Sequence, residues 1–329
     1  EDTLSLHDAL PIFLWGFANQ ITRLGEAKRF YAVFGVAVNF SGIIAGQISI
    51  MVCCQGYNPS FPFGQTEWEQ SLYILLGMIV TSGIISLMLF RWLNTRVLTD
   101  PAFYDASEEK KEKAMRGKLS LRESFRYMFT SRYMICIVVT VIAYNMVINL
   151  VEVLWKHEVK ELYSDPKQYH LYMNQVTSFI GVIATLTSLF ISGNSIRRLG
   201  WSFTAMVTPI VLLLTSVAFF GSFVVKENYP FLLHSFFGML PLALVVFFGT
   251  SQNVLSRAAK YTVFDATREM AFVPLSPADK IKGKAVVDGV CSRLGKSGGS
   301  VVHQALLLVF SSITQSAPYV GVCLLVVIA

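Results

Sequence analysis

One stretch of the chain, residues 260–300, places a dense set of charges between two strongly apolar segments. Cationic side chains bind phosphate and other polyanions, and carboxylates pair with the same cations when no anion is bound. Three of the charges, Asp288, Arg293 and Lys296, fall at the start of a predicted membrane helix, where an ionisable side chain is costly and usually functional. The cations of the stretch are Lys260, Arg268, Lys280, Lys282, Lys284, Arg293 and Lys296, and its carboxylates are Asp265, Glu269, Asp279 and Asp288.

Lys296, in the sequence LGKSGGS, is the strongest candidate for holding a phosphate. A desolvated ammonium is a good point-charge partner for a phosphate group. The small residues around it let a bulky ligand, or another helix, approach the backbone. Arg293 lies three residues earlier, on roughly the same helical face, and would supply a bidentate fork. The small residues are Gly295, Ser297, Gly298 and Gly299.

The letters GKS also suggest a phosphate-binding loop of the kind that hydrolyses ATP. Such a loop needs the spacing G-x-x-x-x-G-K-[ST] between a strand and a helix. Here Gly289 precedes Gly295 by one residue too many, and no strand pattern comes before it. Because the sequence also lacks a Ser-His-Asp grouping and a GxGxxG loop, we expect no catalytic residue, no cofactor and no metal site, and therefore no enzyme.

A second group of polar residues lies in an apolar segment near residue 150. No charged residue occurs between Arg132 and Glu152. A carboxylate so far along a span must face a cavity or a cation, be protonated, or reach the interface from the helix end. Asn145, Asn149 and Glu152 follow helical spacing. This polar stripe is suited to hydrogen-bonding a base or a ribose, or to hydrogen bonds between helices.

The charges just after the preceding predicted span have two interpretations. Lys260, Asp265, Arg268 and Glu269 either form ion pairs within an interfacial loop or form gating pairs that break when a cavity opens. Asp288 is a candidate for the same set. Both interpretations stay open at this point.

The composition identifies the elements that must position these residues. The chain is 53% hydrophobic and 15% charged with a mean hydropathy of +0.53, whereas soluble domains carry about a quarter charged residues. Apolar runs of about twenty residues recur, enough to cross a bilayer. We therefore predict an all-α polytopic membrane protein. The predicted spans are residues 30–54, 71–93, 133–154, 171–191, 201–225, 230–254, 286–313 and 317–329, after a helix remnant at 13–21.

The loops give the orientation and the domain plan. If the spans alternate, the loops on one side carry twenty Lys and Arg residues and those on the other side carry four. The first side is therefore predicted to be cytoplasmic, or stromal in a plastid. The long polar stretch 94–132 is predicted to be a cytoplasmic linker that precedes six helices, the plan of a major-facilitator-like transporter with two six-helix halves. Residues 13–93 would end the first half and 133–329 would form the second.

The first residues look like a cloning scar. Residues 5–12 read SLHDALPI, which a common sequencing adapter encodes when translated. We exclude residues 1–12 from functional reasoning. We expect the chain to be a fragment that lacks about three and a half helices at its front and part of its last helix.

Three separated segments resemble the bacterial and plastid-type ATP/ADP translocases. They are KYTVFDATREMAFVPLS with KGKAVVDGVCSRLGKSGGS, LWGFANQITRLGEAKRFYAVFG, and NLVEVLWK, which starts at Asn149. The resemblance implies exchange of ATP for ADP without hydrolysis. It also implies that Lys296 and Glu152 occupy positions critical for transport.

The sequence and the resemblance together predict a membrane transporter that exchanges ATP for ADP by alternating access. Its expected partners are ATP, ADP and the lipid bilayer, with no nucleic acid and no obligate protein partner. A proton-coupled nucleotide importer is the first alternative, with Glu152 as the proton site. A membrane-embedded enzyme on a phosphorylated substrate, or an ion channel, is a more distant one. The expected location is the inner membrane of an obligate intracellular bacterium, or a plastid envelope.

Overall fold

The computed structural model describes residues 24–97, 129–189, 198–228, 240–275, 279, 283–284, 286–310 and 312–328, and the regular elements in those ranges are all helical. We number the α-helices in chain order. They are α1 (Leu24–Cys53), α2 (Glu67–Trp92), α3 (Arg132–Leu162), α4 (Pro166–Thr187), α5 (Trp201–Asn228), α6 (Pro241–Ala259), α7 (Asp265–Ala271), α8 (Ser292–Phe310) and α9 (Ile313–Ile328). Short π-helical segments cover Leu93–Val97, Lys260–Phe264 and Val287–Cys291.

Four described helices are long and apolar enough to cross a membrane. They are Val36–Cys53, Glu67–Arg96, Arg132–Leu162 and Trp201–Glu227, and the apolar helix α9 is shorter. The all-α, multi-span class predicted from the sequence is therefore confirmed. The two-half plan, the missing first helices and the cloning scar stay predictions, and residues 1–12 and most of the linker lie outside the described residues.

Several helices extend beyond their predicted bounds, because hydrogen bonding and capping, not hydropathy, end a helix. Helix α4 begins at Pro166, well before the predicted start at residue 171. Asp165 caps it by accepting a hydrogen bond from the Gln168 backbone N–H at 3.1 Å, and proline at the first position is already in a helical conformation. Helix α3 continues past residue 154 through the polar turns that end at Leu162.

The loop predicted between the spans 230–254 and 286–313 is helical over much of its length. Helix α6 continues through Arg257 to Ala259, and the π-helical turn Lys260–Phe264 leads directly into α7. The hydropathy of this segment falls after Val254, but the helical backbone hydrogen bonds continue, and Arg257 therefore lies on a helix.

The chain divides into two compact units. The first comprises the residues before Val38 together with Gln55–Leu119, and the second comprises Val38–Cys54 and the rest of the chain from Ser120. In the first unit, Gln70 ties the start of α2 to the preceding loop. Its side chain accepts from the Asn58 N–H and donates to the Asn58 carbonyl, both at 2.9 Å.

The second unit is built around α3. Its side chains at Leu150, Leu154 and Trp155 are fully buried, and α6, α8 and α9 pack against it. The part of α1 in this unit contacts α4 through polar pairs. Asn174 donates to Ser49 Oγ at 2.8 Å, and Asn39 donates to Ser188 Oγ at 3.2 Å. Small and hydroxyl side chains of this kind let membrane helices approach closely.

Candidate functional site

The glycines beside Lys296 form the contact between α8 and α3. A Cβ atom at Gly295 would lie 2.6 Å from the Ile142 carbonyl oxygen, and one at Gly299 would lie 2.6 Å from Asn149 Oδ1. Only glycine permits this approach. At these two positions the neighbour is therefore another helix, whereas nothing lies within 4 Å of a Cβ at Gly298.

Lys296 and Arg293 are both exposed on α8, beside this contact. The Ser300 hydroxyl, one turn beyond Lys296, donates to the Lys296 carbonyl at 3.3 Å and lies 3.5 Å from Asn149 Oδ1. Because Gly295 packs on Ile142 and Asn145, Lys296 is level with that turn of α3.

Asn145 and Asn149 line the same contact. Asn145 is buried, and its amide donates to the Val141 carbonyl of its own helix at 2.8 Å. Asn149 contacts Gly299 and Ser300 of α8. The structure thus places the predicted polar stripe between two helices, and its role in binding a base or ribose stays a prediction.

Glu152 is held by two cations. Its Oε1 lies 2.7 Å from Lys156 Nζ, one turn further along α3, and its Oε2 lies 2.8 Å from Arg257 Nη2 on α6. Glu152 is 23% exposed, Arg257 31% and Lys156 44%. The carboxylate therefore satisfies the requirement of a cationic partner within an apolar helix.

Two hydrogen bonds fix the register that brings Arg257 to Glu152. Trp155 Nε1 donates to Thr250 Oγ1 at 3.0 Å, and the Tyr144 hydroxyl donates to the Ser256 carbonyl at 3.2 Å. Since residue numbers fall along α6 as they rise along α3, the two helices are antiparallel.

Arg257 was not among the predicted site residues, because it lies beyond the end of the predicted span 230–254. One signal was available. Thr250, Asn253 and Arg257 are spaced i, i+3 and i+7 and form a polar stripe like that of α3.

Arg257 and Lys296 lie on the two helices that flank α3. The residue before Arg257 is bonded to Tyr144, and the residue before Lys296 packs on Ile142 and Asn145. With a rise of 1.5 Å per residue, the two backbone positions lie within about one helical turn, or about 5 Å, along the α3 axis. Glu152 lies further along the same helix.

Lys260 lies near aromatic rings. Its ammonium is 6.0 Å from the centre of the Tyr144 ring and 5.4 Å from that of Tyr261, distances suited to cation–π attraction. The Tyr144 ring is buried and stacks on Phe264 with centroids 4.5 Å apart.

Four of the five predicted ion-pair candidates come together around Arg268. Its guanidinium lies 3.7 Å from Asp265, 3.5 Å from Glu269 and 3.3 Å from Asp288, while Lys284 joins Glu269 at 2.6 Å. Lys260, the fifth candidate, takes part in none of the described ion pairs of this cluster.

Arg268 stays charged in this cluster. Burial disfavours its charge, but Asp265, Asp288 and Glu269 together raise the pKa of the guanidinium above its usual value. Ion pairing within this region is thus observed, and a gating role stays a prediction. Lys280 and Lys282 lie outside the described residues.

One further cluster lies near the end of α3. His157, Glu158 and Glu161 offer three donor atoms within 4.8 Å of one another. The spacing of the histidines alone does not indicate this cluster, because two of its three donors are carboxylates. Glu158 is 1% exposed and already bonded to Lys226 of α5 at 2.7 Å, so an ammonium competes with any metal ion. The expected lack of a metal site stays a prediction.

Comparisons with known proteins agree with the resemblance. A family model described as TLC ATP/ADP transporter matches residues 8–329. ADP,ATP carrier protein 1 of Chlamydia pneumoniae is 41% identical over 97% of this chain and 62% of its own length. The chloroplastic ADP,ATP carrier protein 1 of Arabidopsis thaliana is 38% identical over 97% of this chain and 49% of its own.

A third similar protein is ADP,ATP carrier protein 1 of Rickettsia typhi, 38% identical over 94% of this chain and 61% of its own. The chain therefore spans about three fifths of the length of the bacterial carriers it matches. No solved structure matches it.

Proposed function

Since the chain belongs to the TLC ATP/ADP transporter family, we propose that the protein containing it exchanges ATP for ADP across a membrane. The helices of membrane length support this proposal, and so do the names of the three relatives above, each an ADP,ATP carrier protein. Transport would occur without hydrolysis of ATP.

The observation that carries the proposal is the ion-pair site at Glu152. Glu152 forms ion pairs with Lys156 and Arg257 within an apolar helix bundle. Charged residues in such a position cost free energy and usually have a function. The two cations, together with Lys296, are the groups that a nucleotide phosphate requires. Arg293 is a further phosphate ligand in this proposal, and Asn145 and Asn149 lie beside Lys296.

In the proposed cycle, the protein alternates between states open to opposite sides. An empty site keeps its carboxylate–cation pairs, and a loaded site exchanges some of them for contacts with phosphate. Only a ligand that binds the two states differently can shift their populations. The cluster of Asp265, Arg268, Glu269 and Asp288 would open and close on the cytoplasmic side.

The test of this proposal is the substitution Lys296→Ala in the full-length protein that contains this chain, reconstituted in vesicles loaded with ADP. We expect uptake of labelled ATP to be lost while membrane insertion is unchanged. The matched control is Ser297→Ala, the exposed neighbour on the same helix, which should transport normally. Normal exchange by Lys296→Ala would contradict the proposed role.

The proton-coupled importer is the second candidate, and Glu152 is the residue it requires. A carboxylate with two cationic partners is stabilised in its ionised form, whereas a proton carrier must lose that charge in each cycle. The geometry therefore favours exchange. Loss of uptake on adding a protonophore, with no requirement for internal nucleotide, would reverse the choice.

We also propose that the protein resides in the inner membrane of an obligate intracellular bacterium, with the plastid envelope as the alternative, since its relatives come from both kinds of organism. Fractionation of the source cells with an antibody against the protein distinguishes the two locations.

A further inference from the structure

We propose that Arg257 binds a phosphate of the transported nucleotide and that Glu152 is its internal competitor, which occupies the guanidinium until a substrate phosphate displaces it. The inference rests on the proposed function and adds a residue and a binding order to it. Lys156 remains paired with Glu152 when Arg257 binds phosphate instead.

The geometry of the carboxylate supports this exchange of partners. Each oxygen of Glu152 has its own cation, with Lys156 at 2.7 Å on one oxygen and Arg257 at 2.8 Å on the other. One bond can therefore be released while the other stays. Because Lys156 follows Glu152 by one turn of the same helix, the pair between them does not depend on the position of α6.

The chemistry of Arg257 supports it as well. A guanidinium binds carboxylate and phosphate through the same planar fork of N–H donors, so one anion substitutes for the other without a change in the arginine. A phosphate group carries more charge than a carboxylate and offers more acceptor oxygens, and it therefore competes effectively for the site.

Accessibility separates this pair from the other interhelical pair on α3. Arg257 and Glu152 are 31% and 23% exposed, and a ligand can reach them. In the pair between α3 and α5, Lys226 is 21% exposed but Glu158 is only 1% exposed, so its carboxylate is out of reach of a ligand. Of these two described pairs, the one between Glu152 and Arg257 is the one in which a ligand can reach both partners.

The position of Lys296 adds the second phosphate partner. Lys296 on α8 and Arg257 on α6 flank α3 within about one turn of each other along its axis. A di- or triphosphate carries several charged groups and can therefore bind more than one cation. In the proposed arrangement the polyphosphate binds Arg257 of α6 and Lys296 of α8, and Glu152 is the anion that competes for Arg257.

The inference predicts opposite effects on affinity for the two members of the pair. Glu152→Gln removes the competitor and should lower the KM for ATP and ADP several-fold, with a lower maximal rate because release slows. Arg257→Gln removes a charged hydrogen-bond partner and should raise KM about tenfold or more. Arg257→Lys keeps the charge but not the fork, and should fall between Arg257→Gln and the unmodified protein.

The experiment measures KM and maximal rate of ATP/ADP counter-exchange for these variants of the full-length protein in vesicles. Glu161→Gln is the matched control, because it makes the same chemical change at an exposed position of the same helix, and its KM should equal that of the unmodified protein. A role that is only structural lowers the maximal rate or the yield of protein, but it does not lower KM in Glu152→Gln.

Two results would overturn the inference: an unchanged or raised KM in Glu152→Gln, or an unchanged KM in Arg257→Gln. If the unmodified protein shows no counter-exchange, the proposed function fails. ATP-dependent thermal stabilisation of the purified proteins then decides the role of Arg257 separately. Equal stabilisation of Arg257→Gln and the unmodified protein by ATP would reject that role, and a large loss in the variant would support it.

Discussion

The contact at Gly295 gives a prediction whose size can be worked out from distances. A Cβ at this position would lie 2.6 Å from the Ile142 carbonyl oxygen and 2.8 Å from the Asn145 Cβ. Non-bonded heavy atoms prefer separations of about 3.5 Å or more, so Gly295→Ala must move α8 and α3 apart by about 1 Å. The nearest atom belongs to the backbone, and no change of side-chain rotamer relieves the clash.

The expected cost of Gly295→Ala is about 1–3 kcal/mol in the free energy of unfolding, the range for overpacked cores. The control is Gly298→Ala on the same helix, where nothing lies within 4 Å of the added atom. Alanine is the better helix former by about 1 kcal/mol, and the control should therefore be unchanged or slightly more stable.

The assay heats the purified full-length variants in detergent and measures the fraction that remains folded by size-exclusion chromatography. Gly295→Ala should lose its folded peak at a lower temperature than the unmodified protein, and Gly298→Ala should not. Transport should also fall in Gly295→Ala, since the shift displaces the adjacent Lys296. Equal stability of the two glycine variants would refute the close packing of α3 and α8.

Two further predictions concern ion pairs of the second unit. Glu158→Gln should lower the free energy of unfolding by about 3 kcal/mol or somewhat less, because the ammonium of Lys226, 2.7 Å away and 21% exposed, loses its opposite charge. Thermal unfolding of this variant beside the exposed variant Glu161→Gln measures the effect, and equal stability of the two variants would contradict it. Arg268→Gln should destabilise the protein more than Lys284→Gln, because Arg268 faces three carboxylates and Lys284 bonds one. The difference in stability between the two variants should become smaller at high salt, which screens the exposed charges. A larger loss of stability in Lys284→Gln in the same assay would contradict the arrangement of this cluster.

The sequence predicted the helix class, and it indicated that Glu152 needs a partner; both follow from the physics of the bilayer. Long apolar runs have few foldable alternatives in a bilayer, and a lone carboxylate in such a run requires a partner. The identity of that partner depends on how two helices pack. Arg257 is far from Glu152 in the chain, and its own helix continues beyond the apolar run that hydropathy detects.

The predicted group around Arg268 was largely found, because charges that lie close in sequence and flank a short turn meet whatever the detailed packing. Lys260 differs because the π-helical turn that starts there carries it toward Tyr144 and Tyr261. No pattern in the sequence indicates that turn. The glycines at 295 and 299 were recognised as allowing either a ligand or a helix, and only the packing distinguishes the two.

The central claim is exchange of ATP for ADP, and one measurement tests it most directly. Vesicles that contain the full-length protein are given labelled external ATP, with ADP or with nothing inside. Exchange of ATP for ADP predicts rapid uptake of labelled ATP into ADP-loaded vesicles and almost none into empty vesicles. Equal uptake into empty vesicles, driven by a pH gradient, would contradict exchange and would make Glu152 the proton site of an importer.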